Sequence, residues 1–382
     1  MEGPIISFDV SKGCSHAQGF LSSGKPLGKA FKFEHNMEGY GMNIKSVLVV
    51  KLSAIGDVIH ALPVSYALKE AYPEARVTWV VEPPAYNLLE GNPYIDEIIV
   101  FEKKKFKSLA GFWKNFGPFR EKLNQHKYDA VLDLQGLFKS AAIAWCSKAP
   151  VKLGTCNMRE LSDKISRPVV GPNAQGHIVE RYLDVARALG CGVDKVEFPI
   201  NITPEDGKMA RSYLYAAGCK GDVPYVVLAV GANWPNKRWP VAYYAKLSDW
   251  LSEHGYLPVI IGGGALDEQL VEDISRATEF PPVNMVGKTT LRQLAYVIKE
   301  AKATVGGDTG PVHLSAGLGT PTIMVMGPTD ANRNGPYGQL ENAIEVPRSC
   351  KYCWKRACPK GFDCLDRITP AMVEEKLKPY LG

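Results

Sequence analysis

The stretch VGGDTGPVH, residues 305–313, decides the fold class of this chain. An apolar strand over 303–305 runs into two glycines, an acid, a hydroxyl, a glycine and a proline, and a helical pattern follows. Glycines let a backbone approach a ligand closely, and Pro311 suits the first position of a helix. The free N–H groups of such a first turn bind anions, and a diphosphate fits them. A tight turn with Asp308 or Thr309 as the N-cap is the alternative interpretation.

Apolar strands and amphipathic helices alternate from residue 42 onward. The spacing predicts strands over 46–52, 76–81, 97–101, 129–134, 225–230, 258–261, 303–305 and 322–326. It predicts helices over 57–72, 112–126, 138–147, 177–190, 242–254, 266–277 and 291–301. Such alternation is typical of parallel sheets covered on both faces. A break near 201–222 separates two sets, so the sequence predicts an α/β fold with two doubly wound, Rossmann-like domains facing a cleft.

Glycine-rich turns follow several of these strands. They are SAIGD at 53–57, VGANWPNKRWP at 230–240, GGG at 262–264 and the turn at Asp308. Ligands of open α/β sheets bind beyond the carboxyl ends of the strands. Because all four turns follow strands, a common ligand-binding role is favoured over the alternative that each turn serves only the local fold.

Composition and charge narrow the class of protein. A length of 382 residues suggests two or three domains, and 46% hydrophobic with 22% charged residues is typical of a globular protein. The formal net charge of +5 fits an anionic substrate or a peripheral membrane contact. No apolar run approaches the roughly 20 residues of a membrane span, and no signal-peptide pattern opens the chain. We therefore expect a cytoplasmic protein, whose scattered cysteines are buried, reduced side chains: Cys14, Cys146, Cys156, Cys191 and Cys219.

Five stretches carry a resemblance to a known family. They are KLSAIGDVIHALP (51–63), DLQGLFKSA (133–141), HIVERYLDVARALG (177–190), NKRWP (236–240) and GGDTGPVHLSAGLGTPTIMVMGPTD (306–330). From about residue 42 to the C-terminus the chain resembles the ADP-heptose lipopolysaccharide heptosyltransferases, inverting glycosyltransferases of the GT-B fold. The first three stretches resemble most the heptosyltransferase I-like subgroup, which adds the first heptose to the Kdo sugar of the inner core.

The resemblance implies a domain organisation. Residues 42–205 are expected to form the acceptor-binding domain, 206–345 the nucleotide-sugar-binding domain, and 346–382 a cysteine-containing tail and helix. Residues 1–41 resemble instead the opening hairpin of insertion-sequence transposases, in which Asp9 would be the first metal-binding acid. Because later acids of such a domain are not evident, we interpret 1–41 as a vestigial fusion or a misplaced start.

Two residues are the candidates for catalysis. An exposed acid after a glycine at a strand-to-helix turn suits a general base, and the resemblance assigns this role to Asp57. An N-cap for a helix starting at Val58 is the alternative. Lys237 is a mobile positive charge in a polar loop after a strand, and the resemblance implies that it contacts the donor's phosphate. A solvated surface lysine is its alternative.

The donor site is expected to hold six further residues. Thr309 and Gly310 would bind the diphosphate, and Asp308 would accept hydrogen bonds from heptose hydroxyls. His313 would bond the phosphate or be a buried helical histidine. The resemblance assigns Glu268 to the ribose hydroxyls, although an acid there also complements a helix dipole. Asn233 is the sixth residue. Ala232 stands where the family often has a hydroxyl for the diphosphate, so only Asn233 and backbone groups could serve there.

The acceptor site is expected in the first domain. The resemblance places Lys51 and Ser53 there, and a basic run at Lys103, Lys104 and Lys105 suits the phosphates and carboxylates of Kdo-lipid A. A solvated charge run is the alternative. Too few aromatic residues alternate with these lysines to indicate nucleic acid.

Four cysteines lie close together in the tail, at Cys350, Cys353, Cys358 and Cys364. The spacing permits a structural metal site, free thiols or disulfides, and a reducing compartment disfavours the last. No DxD motif stands at a strand end, so we expect no metal or cofactor requirement for catalysis, with ADP-heptose as donor substrate.

The sequence thus predicts an inverting transferase that moves heptose from ADP-heptose to the Kdo-containing inner core of lipopolysaccharide, at the inner membrane face. Another nucleotide-sugar enzyme of the same fold, with a different acceptor or an isomerase activity, is one alternative. A non-catalytic nucleotide-sugar binding protein is the other, and the presence of both Asp57 and Lys237 argues against it.

Overall fold

The computed structural model describes residues 43–221, 223–347, 350, 352–358 and 364–381 in full, and before them only the backbone of three strands. The chain divides into two compact units, 1–43 with 188–190, and 44–187 with 191–382. The three strands form an antiparallel sheet of β1 (Ile5–Ser11), β2 (Cys14–Phe20) and β3 (Phe31–Glu34). The side chains of the transposase-like segment, Asp9 included, lie outside the described residues, so that resemblance stays a prediction.

The second unit holds two six-stranded parallel sheets. The strands of the first sheet are β4 (Ser46–Val50), β5 (Arg76–Val81), β6 (Glu97–Val100), β7 (Ala130–Asp133), β8 (Val151–Gly154) and β9 (Arg167–Pro168). The helices of this half are α1 (Ile55–Ala71), α2 (Pro83–Leu89), α3 (Leu109–Leu123), α4 (Phe138–Cys146) and α5 (Ile178–Ala188).

The second sheet repeats this arrangement. Its strands are β10 (Tyr225–Ala229), β11 (Leu257–Ile261), β12 (Val283–Asn284), β13 (Ala303–Gly307), β14 (Thr322–Val325) and β15 (Ala343–Ile344). Its helices are α6 (Pro204–Ala216), α7 (Val241–Glu253), α8 (Ala265–Ala277), α9 (Leu291–Lys299), α10 (Gly310–Gly317), α11 (Ala331–Asn334) and α12 (Pro370–Leu377).

Both sheets have the strand order of a Rossmann-type sheet. The orders are β6-β5-β4-β7-β8-β9 and β12-β11-β10-β13-β14-β15, which confirms the predicted α/β class with two parallel, Rossmann-like halves. The strand order reverses between β4 and β7 in one sheet and between β10 and β13 in the other. Open α/β sheets bind ligands at the carboxyl ends of the strands beside this reversal, so each half has one expected ligand position.

The strands are buried because helices cover both faces of each sheet. Every residue of β4 and β10 is buried, and continuous apolar runs of this kind are typical of central parallel strands. The C-terminal segment belongs to the core of the second half, since Leu365, Val373 and Leu377 are fully buried in it. No helix in the described ranges is long and apolar enough to cross a membrane.

Three helices lie where the sequence showed none. Helix α6 occupies part of the stretch interpreted as a break, α2 follows β5 directly, and the short α11 follows β14. The signals were present: Thr203 accepts a hydrogen bond from the Asp206 N–H, and Pro204 takes the first helical position. Helix α6 packs on α9 of the second half.

We expect a chain that begins at Met42 to equal the full chain in thermal midpoint and activity. Strand β4 follows that residue within four positions and lies in the centre of its sheet, with its own core around Leu48 and Val50. Differential scanning calorimetry of the two proteins checks this. A clear drop in the midpoint of the shorter chain would show that residues 1–41 stabilise the rest of the protein.

Candidate functional site

One large cavity collects the turns that follow the central strands of both sheets. Its volume is about 1650 Å³. Asp57 and Gln135, after β4 and β7, line one side, and Lys237 and Asp308, after β10 and β13, line the other. The cavity therefore lies where the strand order of both sheets predicts a ligand.

Asp57 lies in the first turn of α1. The helix begins at Ile55, so Asp57 is its third residue and the predicted N-cap at a helix from Val58 is wrong. One carboxylate oxygen, Oδ2, accepts the Ala54 N–H at 3.1 Å. The side chain is half-buried and lines the cavity. A carboxylate held at a helix start with one oxygen available suits proton abstraction.

Lys51 stands behind Asp57 at the end of β4. It is buried, and its Nζ donates to the Tyr182 hydroxyl at 2.8 Å and to the Leu134 carbonyl at 3.1 Å. Burial opposes its charge, but Tyr182 and Asp57 outweigh this and raise the pKa of Lys51. A permanent positive charge therefore lies beside the carboxylate of Asp57. Ser53 also lines the cavity, and its N–H donates to Gln135 Oε1 at 3.1 Å.

Asp308 is the centre of a buried polar cluster on the opposite side. Its Oδ2 accepts Lys237 Nζ at 2.5 Å and Thr329 Oγ1 at 2.7 Å, and its Oδ1 is 2.8 Å from His313 Nε2. Burial would raise the pKa of Asp308, but the hydrogen bond and charge of His313 and the charge of Lys237 lower it far below its usual range. These three partners hold Lys237, His313 and Thr329 around the carboxylate, and its contact with heptose hydroxyls stays a prediction.

Glycine makes this cluster possible. A Cβ on Gly307 would overlap the carbonyl oxygen of Lys237, so the strand can pass this close to the lysine loop only without a side chain. Trp234 supports the lysine from another direction, with Nζ 4.7 Å from the ring centre. Lys237 is thus held in place and is not a solvated surface lysine.

The turn after β13 is the predicted anion-binding element. Helix α10 begins at Gly310 with Thr309 as N-cap, and Pro311 takes the second helical position, one later than predicted. The Thr309 hydroxyl donates to the Gly307 carbonyl at 3.3 Å and does not cap the helix. Val312 and His313 donate their N–H groups to the Thr309 carbonyl at 3.1 Å, and Pro311 has none, so the first turn leaves the N–H of Gly310, a residue that lines the cavity.

The two turns contact each other directly. A Cβ built on Gly56 would lie 3.0 Å from His313 Cδ2 and 3.5 Å from the Cα of Gly310. A Cβ on Gly310 would lie 3.3 Å from Ile55 Cγ2. The carboxylate of Asp57 and the anion-binding turn are therefore brought together by a glycine on each side.

Three histidines meet at this contact, of which His60 and His313 are buried and His177 is half-buried. His60, on α1, packs against His313 with ring centres 4.1 Å apart and against His177 at 5.7 Å. Neither ring nitrogen of His60 has a hydrogen-bond partner among the described residues. Burial lowers the pKa of His60 well below its usual value, and the charges of His313 and His177 act in the same direction. Burial also lowers the pKa of His177 to about 4.

We expect the protein to lose stability as the pH falls from about 6.5 toward 4. The unfolded chain binds protons on His60 and His177 near their usual pKa of about 6.5, whereas burial lowers both pKa values in the folded protein, so acid favours unfolding. Urea midpoints at pH 7 and pH 5 measure the loss. His60→Leu should reduce the pH dependence, whereas His254→Gln, at an exposed position, should leave it unchanged. Equal pH dependence in all three proteins would contradict the role of His60.

The structure brings most of the predicted donor residues to the cavity. Asn233, Thr309, Gly310 and His313 line it with Lys237 and Asp308. Glu268 is exposed and does not line it, while its neighbour Asp267 does, because successive helical residues point about 100° apart. Asp267 Oδ2 accepts the Gly263 N–H at 2.8 Å and holds the glycine loop.

Lys103, Lys104 and Lys105 do not line the cavity either. They form an exposed 3₁₀ turn before α3, and Lys105 pairs with Glu102 at 2.6 Å. Their contact with an acceptor stays a prediction.

Sequence reasoning missed several side chains that line the cavity, among them Arg181, Arg333 and Trp354. Arg181 is 7% exposed and its Nε donates to the Gly176 carbonyl at 2.9 Å, with no carboxylate paired to it among the described residues. Burial lowers the pKa of Arg181, and the charge of Arg333 adds to this. The Arg333 guanidinium lies 4.9 Å from the ring centre of Trp354. The motif HIVER contains Arg181, but Arg333 and Trp354 come from segments that only the fold brings near.

The role of the four tail cysteines stays a prediction. Among the residues the structure describes, no three His, Cys, Asp or Glu side chains lie together as a metal site would require. The segment around Cys353 instead supports the donor side, since Asn236 Nδ2 donates to the Lys355 carbonyl at 2.7 Å.

Comparison with known proteins identifies the family of this chain. The family model of glycosyltransferase family 9 (heptosyltransferase) matches residues 117–362. The chain belongs to this family. Lipopolysaccharide heptosyltransferase 1 of Pseudomonas aeruginosa is 30% identical over 365 residues, covering 88% of this chain and 98% of that protein. This heptosyltransferase-family chain is therefore a glycosyltransferase.

Solved structures agree with the family. The glycosyltransferase family 9 protein from Veillonella parvula has a TM-score of 0.75 at 26% identity, covering 88% of this chain and 97% of that one. Heptosyltransferase WaaC of E. coli, solved with ADP, has a TM-score of 0.69 at 26% identity, covering 88% and 99%. The two parallel sheets of this family 9 enzyme thus have the fold of known heptosyltransferase structures.

Proposed function

We propose that the protein transfers heptose from ADP-heptose to the Kdo-containing inner core of lipopolysaccharide, with inversion at the anomeric carbon. Heptose transfer in lipopolysaccharide biosynthesis is the activity of the relatives named above. The observation that carries the proposal is the placement of Asp57 and the Lys237–Asp308 pair on facing walls of one cavity.

The donor's diphosphate binds in the second half. The first turn of α10 offers the N–H of Gly310 and the positive end of a helix dipole, and Lys237 adds a positive charge that Asp308 holds in place. This pair is 13% and 3% exposed, so little water competes with the phosphate. Donors fixed in advance in such a site stabilise the charge that develops on a leaving group.

The reaction is a single displacement. Asp57 takes the proton of an acceptor hydroxyl as that oxygen bonds to the anomeric carbon, and the bond from this carbon to the diphosphate oxygen breaks. The sugar passes through an oxocarbenium-like state, as in glycoside hydrolysis. The departing ADP carries the electron pair, and Lys237 with the α10 turn neutralises it.

The acceptor binds in the first half. Arg181 is buried without a carboxylate partner among the described residues, and it lines the cavity together with Arg333. A buried unpaired charge is costly, and an anionic ligand removes the cost. The carboxylates of Kdo provide such an anion. Lys51 supports Asp57 in this wall, and the enzyme works at the inner membrane face, where the lipid acceptor is anchored.

A donor screen tests the proposal. Purified protein is incubated with Kdo-lipid A and ADP-, UDP- or GDP-sugars, and the acceptor mass is read by mass spectrometry. We expect one added heptose with ADP-heptose alone, and the same yield in the presence of a metal chelator. Product from another nucleotide sugar would assign a different donor, and binding of ADP-heptose without any product would favour the non-catalytic alternative.

A further inference from the structure

The helix α3 and the turn before it expose an unusual set of apolar side chains. Leu109 is 80% exposed, Trp113 72% and Phe112 36%. Exposed single apolar residues are ordinary, but three within five positions of one helix form a patch. We call residues 103–114 the 103–114 surface.

This patch is fixed in place and is not a frayed segment. Phe106 stacks on Phe101 with ring centres 4.9 Å apart, and Phe119 packs edge-on against Phe101 at 5.3 Å. Leu123 anchors the end of the helix in the core of the first half. The inner face of α3 thus packs against the first half, and its outer face is exposed and available to a partner.

The same segment is strongly basic. Residues 102–122 contain seven Lys and Arg and two acids, a net charge of +5 that equals the formal charge of the whole chain. Lys105 pairs with Glu102, whereas Lys104, Lys107 and Lys114 have no acidic partner in the part of the chain that the structure describes. A partner for this face must therefore be anionic as well as apolar.

We propose that the 103–114 surface docks the protein on the anionic face of a phospholipid bilayer. Leu109 and Trp113 enter the boundary between head groups and acyl chains, and the surrounding lysines contact lipid phosphates. Tryptophan is favoured at this depth because its ring is apolar and its N–H is polar. The inference rests on the proposed function, since an enzyme whose acceptor is anchored in a membrane needs its acceptor-binding half at the lipid surface.

Vesicle sedimentation of the full chain, without acceptor, tests docking. Wild-type protein should pellet with phosphatidylcholine vesicles that contain phosphatidylglycerol and much less with phosphatidylcholine alone. Leu109→Ser with Trp113→Ser should lower the partition coefficient about tenfold or more, the effect of losing two buried apolar side chains. Tyr215→Ser is the matched control, because Tyr215 is 62% exposed on α6 and should not contribute.

Activity assays separate docking from catalysis. The double variant should match the wild type on a deacylated, water-soluble acceptor and lose turnover on acceptor embedded in anionic vesicles. Equal vesicle binding by wild type and double variant, or no preference for the anionic lipid, would overturn docking. A wild-type dimer that the double variant converts to a monomer would overturn it in favour of a second copy of this chain. Absence of all transfer with vesicle binding intact would overturn only the proposed function.

Discussion

Asp57→Asn is expected to lower turnover by about 10²- to 10⁴-fold, the usual contribution of a general base. The amide keeps an oxygen that accepts the Ala54 N–H, so the first turn of α1 should stay formed. It has no lone pair basic enough to take the acceptor proton. Because we propose that the donor binds on the other wall of the cavity, ADP affinity should barely change.

The control for this variant is Glu70→Gln. Glu70 is an exposed acid in the last turn of the same helix, and the substitution makes the same change of charge. It should retain full turnover. An Asp57→Asn enzyme that also retains near-full turnover would show that another group takes the proton.

Lys237→Ala is expected to weaken ADP binding by about 1.5–3 kcal/mol, which is typical of a hydrogen bond to a charged group. Turnover should fall as well, because the contact with the phosphate strengthens as ADP departs. The variant also leaves the buried Asp308 with only His313 and Thr329 as partners. Some loss of thermal stability should therefore accompany the loss of affinity.

Calorimetric titration with ADP decides the role of Lys237. Lys246→Ala, an exposed lysine on α7, serves as the control and should bind ADP as the wild type does. Unchanged ADP affinity in Lys237→Ala, with a correctly folded protein, would move the donor site away from this wall.

Eight strands were predictable because each is a short, strongly apolar run, whereas the short outer strands β8, β9, β12 and β15 were not predicted. The predicted strand over 76–81 and the observed β5 coincide, and most helix boundaries differ by one to three residues. The largest shift at a site is in α1, which begins two residues before the predicted start because Ala54 and Asp57 close its first turn. The missed helix α6 had a recognisable capping pattern that the surrounding polar residues obscured.

The candidate site was predictable only in part. Asp57, Lys237 and the turn at Asp308 stand next to strands, so the order of strands alone places them together. The bond from Lys237 to Asp308 joins residues 71 positions apart, and its existence depends on β10 and β13 being neighbours. That pairing decides that Asp308 holds the lysine, which residue type alone did not indicate.

Residues from distant loops were beyond sequence reasoning. Arg333 and Trp354 reach the cavity from α11 and the tail, and no periodicity marks them. The choice between Glu268 and Asp267 depends on one helical position, which is within the error of a predicted helix start.

The configuration of the product tests the single displacement most directly. Nuclear magnetic resonance of the heptosylated acceptor reports the anomeric configuration of the new bond. Attack by the acceptor oxygen, deprotonated by Asp57, on the face opposite the departing ADP predicts a configuration opposite to that of the donor. Retention of the donor's configuration would contradict it.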